Sequence, residues 1–231
     1  MVSKNKSETL LIENTKWSQL PDVNELMEMG NGEKWFSELR DILKKYNALD
    51  RFGITLLHKH FKIDEDEMML ETIDVEKRRL YMSPVKSKDY LGKGDKSLTT
   101  TSLKLVDDDN VAIQTTMWSK TPEGSKMLKI SESDAKCFYE LRQILKKHNA
   151  LERYGIGLLH KHFDVNEGEV LYETTDVEKR IQIIRPIKIQ DITDESIITT
   201  CWKLVDDDIV ATLICVCGGG GQGHTRTHVS Q

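Results

Sequence analysis

The chain has 231 residues, with 33 Lys+Arg against 38 Asp+Glu, and a formal net charge of -5. Charges of both signs are interspersed and 38% of residues are hydrophobic, which excludes a disordered chain and leaves no basic footprint for nucleic acid. No apolar stretch approaches the roughly 20 residues of a membrane helix, and polar VSKNKSE follows Met1 where a secretion signal would be apolar. A cytoplasmic protein with no membrane partner is therefore expected.

One stretch organises the chain, and it occurs twice. Leu39 to Phe61 and Leu141 to Phe163 differ at only five of 23 positions, at an offset of 102. Residues 1–30 read as an extension packed on the first copy, with a strand within Thr9 to Trp17 and a turn at Pro21-Asp22. A helix is predicted from the Asn31-Gly32 cap, with its apolar stripe at Phe36, Leu39, Leu43, Tyr46 and Leu49. In the second copy Ser131 or Ser133 caps and Phe138, Leu141, Leu145 and Leu151 form the stripe. His148 replaces Tyr46 at the edge of that face, where a polar tip stays wet. Gly53 and Gly155 are the predicted helix stops, each with a left-handed backbone.

The period then changes to two. Ile54 to Ile63 and Glu67 to Ile73 read as a hairpin around Asp64 to Asp66, with Asn166-Glu167-Gly168 at the second turn. The next strands, EKRRLYMSP and EKRIQIIRP, are predicted to end at Pro84 and Pro186. Leu103 to Trp118 then matches Trp202 to Cys217 at an offset of 99, which places the loss of three residues near Gly92-Lys93-Gly94. The expected organisation is repeat units at 31–118 and 128–217, a linker at 119–127 and a flexible Gly-rich tail at 218–231. The predicted fold class is α+β: two tandem repeats in a pseudo-symmetric pair, each an amphipathic helix on an antiparallel sheet of about five strands.

The strongest chemical signal is His58-Lys59-His60 with its copy His160-Lys161-His162. On a strand, residues two apart share a face, so each pair presents two imidazoles together. Two imidazoles and a carboxylate suit non-haem iron, manganese, copper or zinc, and Glu71 and Glu173 are the carboxylate candidates. Hairpin register decides between readings. A four-residue loop sets His60 opposite Glu71, whereas a three-residue loop sets Lys59 opposite Glu71 on the far face. Gly168 favours the shorter loop, and with it histidines that only pack and hydrogen-bond.

The stretch GIGLLHKHFDVNE partly resembles the first metal motif of the cupin barrels: a glycine, His-x-His, then Glu. The resemblance covers about 13 residues. The glycine spacing is one short, the second motif with its third histidine is missing, and the preceding helix does not suit a cupin. The family is not adopted. Asp107-Asp108-Asp109 and Asp206-Asp207-Asp208 read as solvated turns. Cys215-Val-Cys217 with His224 and His228 lacks the usual zinc spacing. The four cysteines, Cys137, Cys201, Cys215 and Cys217, all fall in the second half, so the copies share no disulfide framework and reduced thiols are expected.

The reading that follows is a binding module for a small molecule or a protein. The alternative is an enzyme using a divalent transition metal held by His58, His60 and Glu71 and by His160, His162 and Glu173. Nothing in the sequence sets the oligomeric state.

Overall fold

The computed structural model describes residues 11–14, 20–22, 34–91, 98–107, 112–120, 130–193, 197–206 and 208–216. The predicted Asn31 cap, the Gly92–Gly94 loop, most of the linker and the tail lie outside them.

Helix α1 (Phe36–Lys45) buries Phe36, Leu39 and Leu43, and α2 (Ala135–Lys147) buries Phe138, Leu141 and Leu145. This is the predicted stripe, and each such side chain is worth about 1.5–3 kcal/mol when taken out of water. The predicted serine cap is not made: Asp134 is the N-cap of α2, and its Oδ2 accepts from the Ser131 backbone N–H at 2.9 Å. Both helices stop earlier than predicted, at an asparagine. Asn47 and Asn149 take φ of 51° and 52°. Around Asn47, Ala48 N–H donates to Leu43 O and Asn47 N–H to Lys44 O, at 2.8 and 3.0 Å. This pair of bonds satisfies the last carbonyls and closes the helix.

Gly53 and Gly155 are therefore not helix stops, and neither has a positive φ. They sit inside β2 (Phe52–Leu56) and β7 (Tyr154–Leu158). A Cβ on Gly53 would overlap the carbonyl oxygen of Trp202, and one on Gly155 that of Leu103. Glycine is needed there for close approach of two backbones.

The remaining strands are β1 (Leu11–Asn14), β3 (Glu67–Asp74), β4 (Arg79–Lys86), β5 (Leu98–Leu105), β6 (Ala112–Lys120), β8 (Glu169–Asp176), β9 (Ile181–Lys188), β10 (Ile197–Leu204) and β11 (Ile209–Val216). Their order is β6-β3-β4-β9-β8-β11-β10-β2-β7-β5, and β5 pairs back onto β6. The result is one closed ten-stranded barrel, with β1 added outside along β6. The sheet is mixed, because β3–β6 and β8–β11 are parallel.

This corrects the predicted fold. There are not two tandem units, each a helix on its own antiparallel sheet, and no tandem-repeat architecture stands out. The halves interleave: β2 lies between β10 and β7, both from the other half, and β7 lies between β2 and β5. Two separate sheets would each leave open edges, whereas one ring leaves none.

Three further predictions change. The hairpin Ile54 to Ile73 does not form, because β2 ends at Leu56 and never pairs with β3. Strands β4 and β9 run through Pro84 and Pro186. Each proline lies past the short β4–β9 contact at Leu80–Met82, where its missing N–H breaks no bond on that side. The last hairpins also differ in length. Leu105 and Leu204 precede the turn at an offset of 99, and Ile113 and Ile209 follow it at an offset of 96. Ser119, not Thr116, is thus the counterpart of Cys215.

Both helices pack on the outer face of β2, β7, β5 and β10. Phe36 meets Tyr154 and Trp202 edge-on at 5.1 and 5.3 Å, and Phe52 meets Phe138 at 5.1 Å. The helices exchange charges: Glu140 accepts from Tyr46 and Lys45, and Glu38 from His148 and Lys147. The polar tips of Tyr46 and His148 thus end on carboxylates. A second core of Leu57, Phe61, Ile63, Met69, Met82 and Ile184 sits across the barrel. Among the described residues no helix is long and apolar enough to cross a membrane.

Candidate metal centre

The His-Lys-His segments lie just past β2 and β7, in irregular backbone rather than on strands. What bends them is a set of exchanged contacts between halves. Leu57 N–H donates to Arg153 O and Leu159 N–H to Arg51 O, both at 2.8 Å. Phe61 and Ile63 then anchor in the second core. Arg180, at the tight turn before β9, donates to Lys62 O at 2.8 Å and pairs with Glu67. Arg78 does the same from the other side, donating to Asp164 O and to Glu169 Oε2, both at 2.5 Å. Each arginine therefore clamps the loop that follows the histidines of the opposite half.

The imidazoles consequently meet the glutamate of the opposite half. His60 Nε2 lies 3.0 Å from Glu173 Oε1, and His58 Nε2 lies 2.9 Å from His60 Nε2. Cys215 Sγ completes this group, 3.7 Å from His60 Nε2 and 3.5 Å from Glu173 Oε1. In the second group His162 Nε2 and His160 Nε2 stand 2.8 and 3.5 Å from Glu71 Oε1. The ligand atoms of each group lie within 4.8 Å of one another. The predicted pairing of His58 and His60 with Glu71 is thus replaced by a crossed one. Glu71 faces Met82 and Ser119 across its strands, and Glu173 faces Ile184 and Cys215. The lysines do not sit by the glutamates either. Lys59 forms a parallel backbone bridge with Asp22, and the Lys161 side chain pairs with Asp164.

Second contacts set the rings. His58 Nδ1 is 2.9 Å from Leu56 O, and His160 Nδ1 is 2.7 Å from Leu158 O. A carbonyl only accepts, so Nδ1 carries a proton and Nε2 is the nitrogen left facing the cluster. This is the arrangement that orients a metal-ligating histidine. Gln182 Nε2 donates to Glu173 Oε1 at 2.7 Å.

Burial would raise both carboxyls. It is outweighed by His160 and His162 at Glu71, and by His60, His58 and Gln182 at Glu173, and each is held at about 2. Burial lowers the pKa of His160, but Glu71 and the Leu158 carbonyl more than reverse this, and the net shift is upward. Both glutamates are therefore carboxylates at neutral pH, the form that ligates a cation.

Metal bonds of about 2.0–2.3 Å at tetrahedral or octahedral angles place ligand atoms roughly 2.8–3.8 Å apart. The separations above fall close to that range. Both clusters are geometrically compatible with a divalent transition-metal ion. Preassembled sets of this kind overturn the reading of the histidines as packing residues and of the protein as a simple binding module.

A cavity of about 300 Å³ lies inside the barrel and is lined by residues of all ten strands. His58, Glu173, Glu71, His160 and His162 open onto it among mostly apolar neighbours. In the aspartate turns Asp107 pairs with Lys146 and Asp206 with Lys44, while Asp108, Asp109 and Asp207 lie outside the described residues. Cys217, His224 and His228 lie outside the described residues. Sequence reasoning missed Cys215 as a companion of His60, and missed Gln182, Ser119 and the two arginines. The shared TDVEKR ending at Arg180, with IDVEKR ending at Arg78, was the available signal for the clamps. No protein family, curated protein or solved structure matches the chain.

Proposed function

We propose that this chain is a metal-dependent enzyme with two mononuclear centres in one barrel. One uses His58, His60 and Glu173 with Cys215, the other His160, His162 and Glu71. The observation that carries the reading is the crossed assembly. In each centre two imidazoles, one fixed through Nδ1 by a backbone carbonyl, converge on a buried carboxylate delivered by the other half. A divalent transition ion on such a set supplies Lewis acidity and lowers the pKa of a bound water.

The chain's own part is to orient and to exclude solvent. The cavity suits a small, largely apolar substrate, held by Leu57, Leu80, Met82 and Leu159, with the hydroxyls of Thr55 and Thr101 as polar contacts. Among the described residues Cys137, Cys201 and Cys215 form no disulfide. A reducing compartment such as the cytoplasm would keep Cys215 available as a thiolate ligand. The test is metal analysis of protein expressed with iron, manganese, copper and zinc in the medium. Two equivalents per chain are expected, falling by one in H58Q/H60Q and by one in H160Q/H162Q. Unchanged metal content in both variants would refute the assignment.

A further inference from the structure

The two centres are built from the same segments but differ at four points. The first is ligand number. Cys215 stands opposite Glu173 on β11, whereas the counterpart opposite Glu71 on β6 is Ser119. A thiolate is a strong ligand for a zinc-class ion and a neutral hydroxyl is a weak one, so one set has four ligands and the other three. The second is support. Gln182 holds the Glu173 carboxylate, and its counterpart at the same offset is Leu80, which has no donor.

The third point is access. The side chains of His60 and Glu173 are 1% and 3% exposed, against 9% for His162 and 16% for His160. All three ligands of the second centre line the internal cavity, against His58 and Glu173 of the four in the first. His162 also borders an outer depression formed with Val75, Arg78, Lys161 and Phe163. On the opposite side Val177 packs on the second core and Phe61 is buried in it, while Val75 is 61% exposed. The fourth point is an unused donor. Ser119 Oγ is fully buried and has no hydrogen-bond partner among the described residues. A buried hydroxyl without a partner is costly unless something else accepts or donates there.

Structural zinc sites are closed four-ligand sets, and catalytic ones keep a position open. We infer that the two centres do different work: His58, His60, Glu173 and Cys215 close around a zinc-class ion as a structural centre, and Glu71, His160 and His162 form the open centre that takes an exogenous ligand. This rests on the metal-dependent reading above. Ser119 stands beside the open position, placed to hydrogen-bond whatever occupies it, and the depression beside His162 is the way in.

The full-length chain loaded with Co(II) tests the division. Two Co(II) per chain are expected, one of them with a thiolate-to-cobalt charge-transfer absorption that C215S removes. Azide should perturb the ligand-field bands of one cobalt, leave the charge-transfer band untouched, and bind one per chain. E71Q should abolish that azide response with the charge-transfer band retained. S119C should convert the open centre to a closed one, adding a second charge-transfer band and losing azide binding, while C215S should gain a second azide. Azide that shifts the thiolate band in the parent chain, two cobalts with no azide response, or a single cobalt that C215S leaves in place would each overturn the division. Failure to bind Co(II) at all would refute the metal-dependent reading itself, and the division with it.

Discussion

Replacing Gly53 by alanine isolates the contact on which barrel closure depends. A methyl group there overlaps the Trp202 carbonyl oxygen and comes within 3.0 Å of Leu159 Cδ2. The oxygen belongs to backbone and cannot rotate aside, so β10 must move off β2, where the pairing spans only Ile54–Trp202 and Thr55–Cys201. Overpacking costs about 1–3 kcal/mol, and each weakened ladder bond about 1 kcal/mol. A loss of about 3 kcal/mol follows, or a fall in Tm of roughly 6–12 °C for a chain of this size. Gly155→Ala should cost as much, because Leu103 O and Leu57 Cδ2 block it in the same way. Gly157→Ala is the control: its nearest neighbour is Thr55 Cβ at an ordinary 3.8 Å. It should be neutral, or stabilising by about 0.4–1 kcal/mol through the unfolded chain. Gly168→Ala meets no atom but has φ of 77°, and should cost about 1 kcal/mol. Urea unfolding followed by circular dichroism ranks the four. The reasoning is refuted if Gly53→Ala lies within about 0.5 kcal/mol of the parent, or if Gly157→Ala is as costly.

The arginine clamps should act on one centre each. R180A is expected to weaken metal binding about 10–100-fold at the Cys215 centre and R78A at the other, as read by chelator competition; equal losses at both centres would contradict this. Arg180 first of all, then a backbone bond at Asp64, holds Glu67 at about 2, and Arg78 and Asn166 do the same for Glu169. Both folded values lie below the unfolded value of about 4.3, so this stabilisation is complete above that pH and is lost as pH falls toward 2. Urea midpoints should drop over that window in the parent chain and drop less in R78A/R180A. Burial pushes the Cys137 thiol up to about 12 and that of Cys201 up to about 11. Neither should be alkylated in the native protein at pH 8, and peptide mapping that finds either modified before unfolding would disprove it. Finally, H160L/H162L should destabilise the protein more than H160L/H162L/E71Q.

Much of the local structure was legible in the sequence, and little of its assembly. The helical stripe of Phe36, Leu39 and Leu43 shows in the 3.6 period because one face meets one core. The helix end did not show, because Asn47 and Gly53 both tolerate the conformation that ends a helix, and glycine is the commoner choice. Leu57 to Ile63 alternates like a strand, yet Leu57, Phe61 and Ile63 alternate because they point into the second core from an irregular loop. All six residues proposed for the site were picked out by type and spacing. Their grouping was not legible, since a period of two says nothing about a partner about 100 residues away. Cys215 illustrates the limit. Its nearest chemical neighbours in the chain are Cys217 and the tail histidines, but the parallel pairing of β8 with β11 sets it beside Glu173.

The crossed assembly has a thermodynamic consequence at Glu71. Its side chain is 5% exposed and the two imidazoles of the other half supply its compensating contacts. An isolated buried carboxylate is costly, and breaking a buried pair from one side costs about 3–5 kcal/mol, because a charge is left without a partner. H160L/H162L does this, because leucine fills the imidazole's space without a donor, so burial then dominates and the Glu71 carboxyl titrates above its ordinary value. The sign of its pH dependence reverses. In the parent chain Glu71 adds stability above its unfolded pKa. In H160L/H162L the neutral carboxyl is favoured in the fold, so stability from this residue is present below the unfolded pKa and lost as pH rises. Adding E71Q removes the charge and should recover part of the loss at pH 7, but none at pH 4 or below. Urea unfolding at both pH values measures the difference. A recovery of the same size at both would mean that the carboxylate was never the strained partner. Compensation from outside the histidine segment would then have to hold Glu71, and barrel closure would no longer be tied to the meeting of the two halves at these centres.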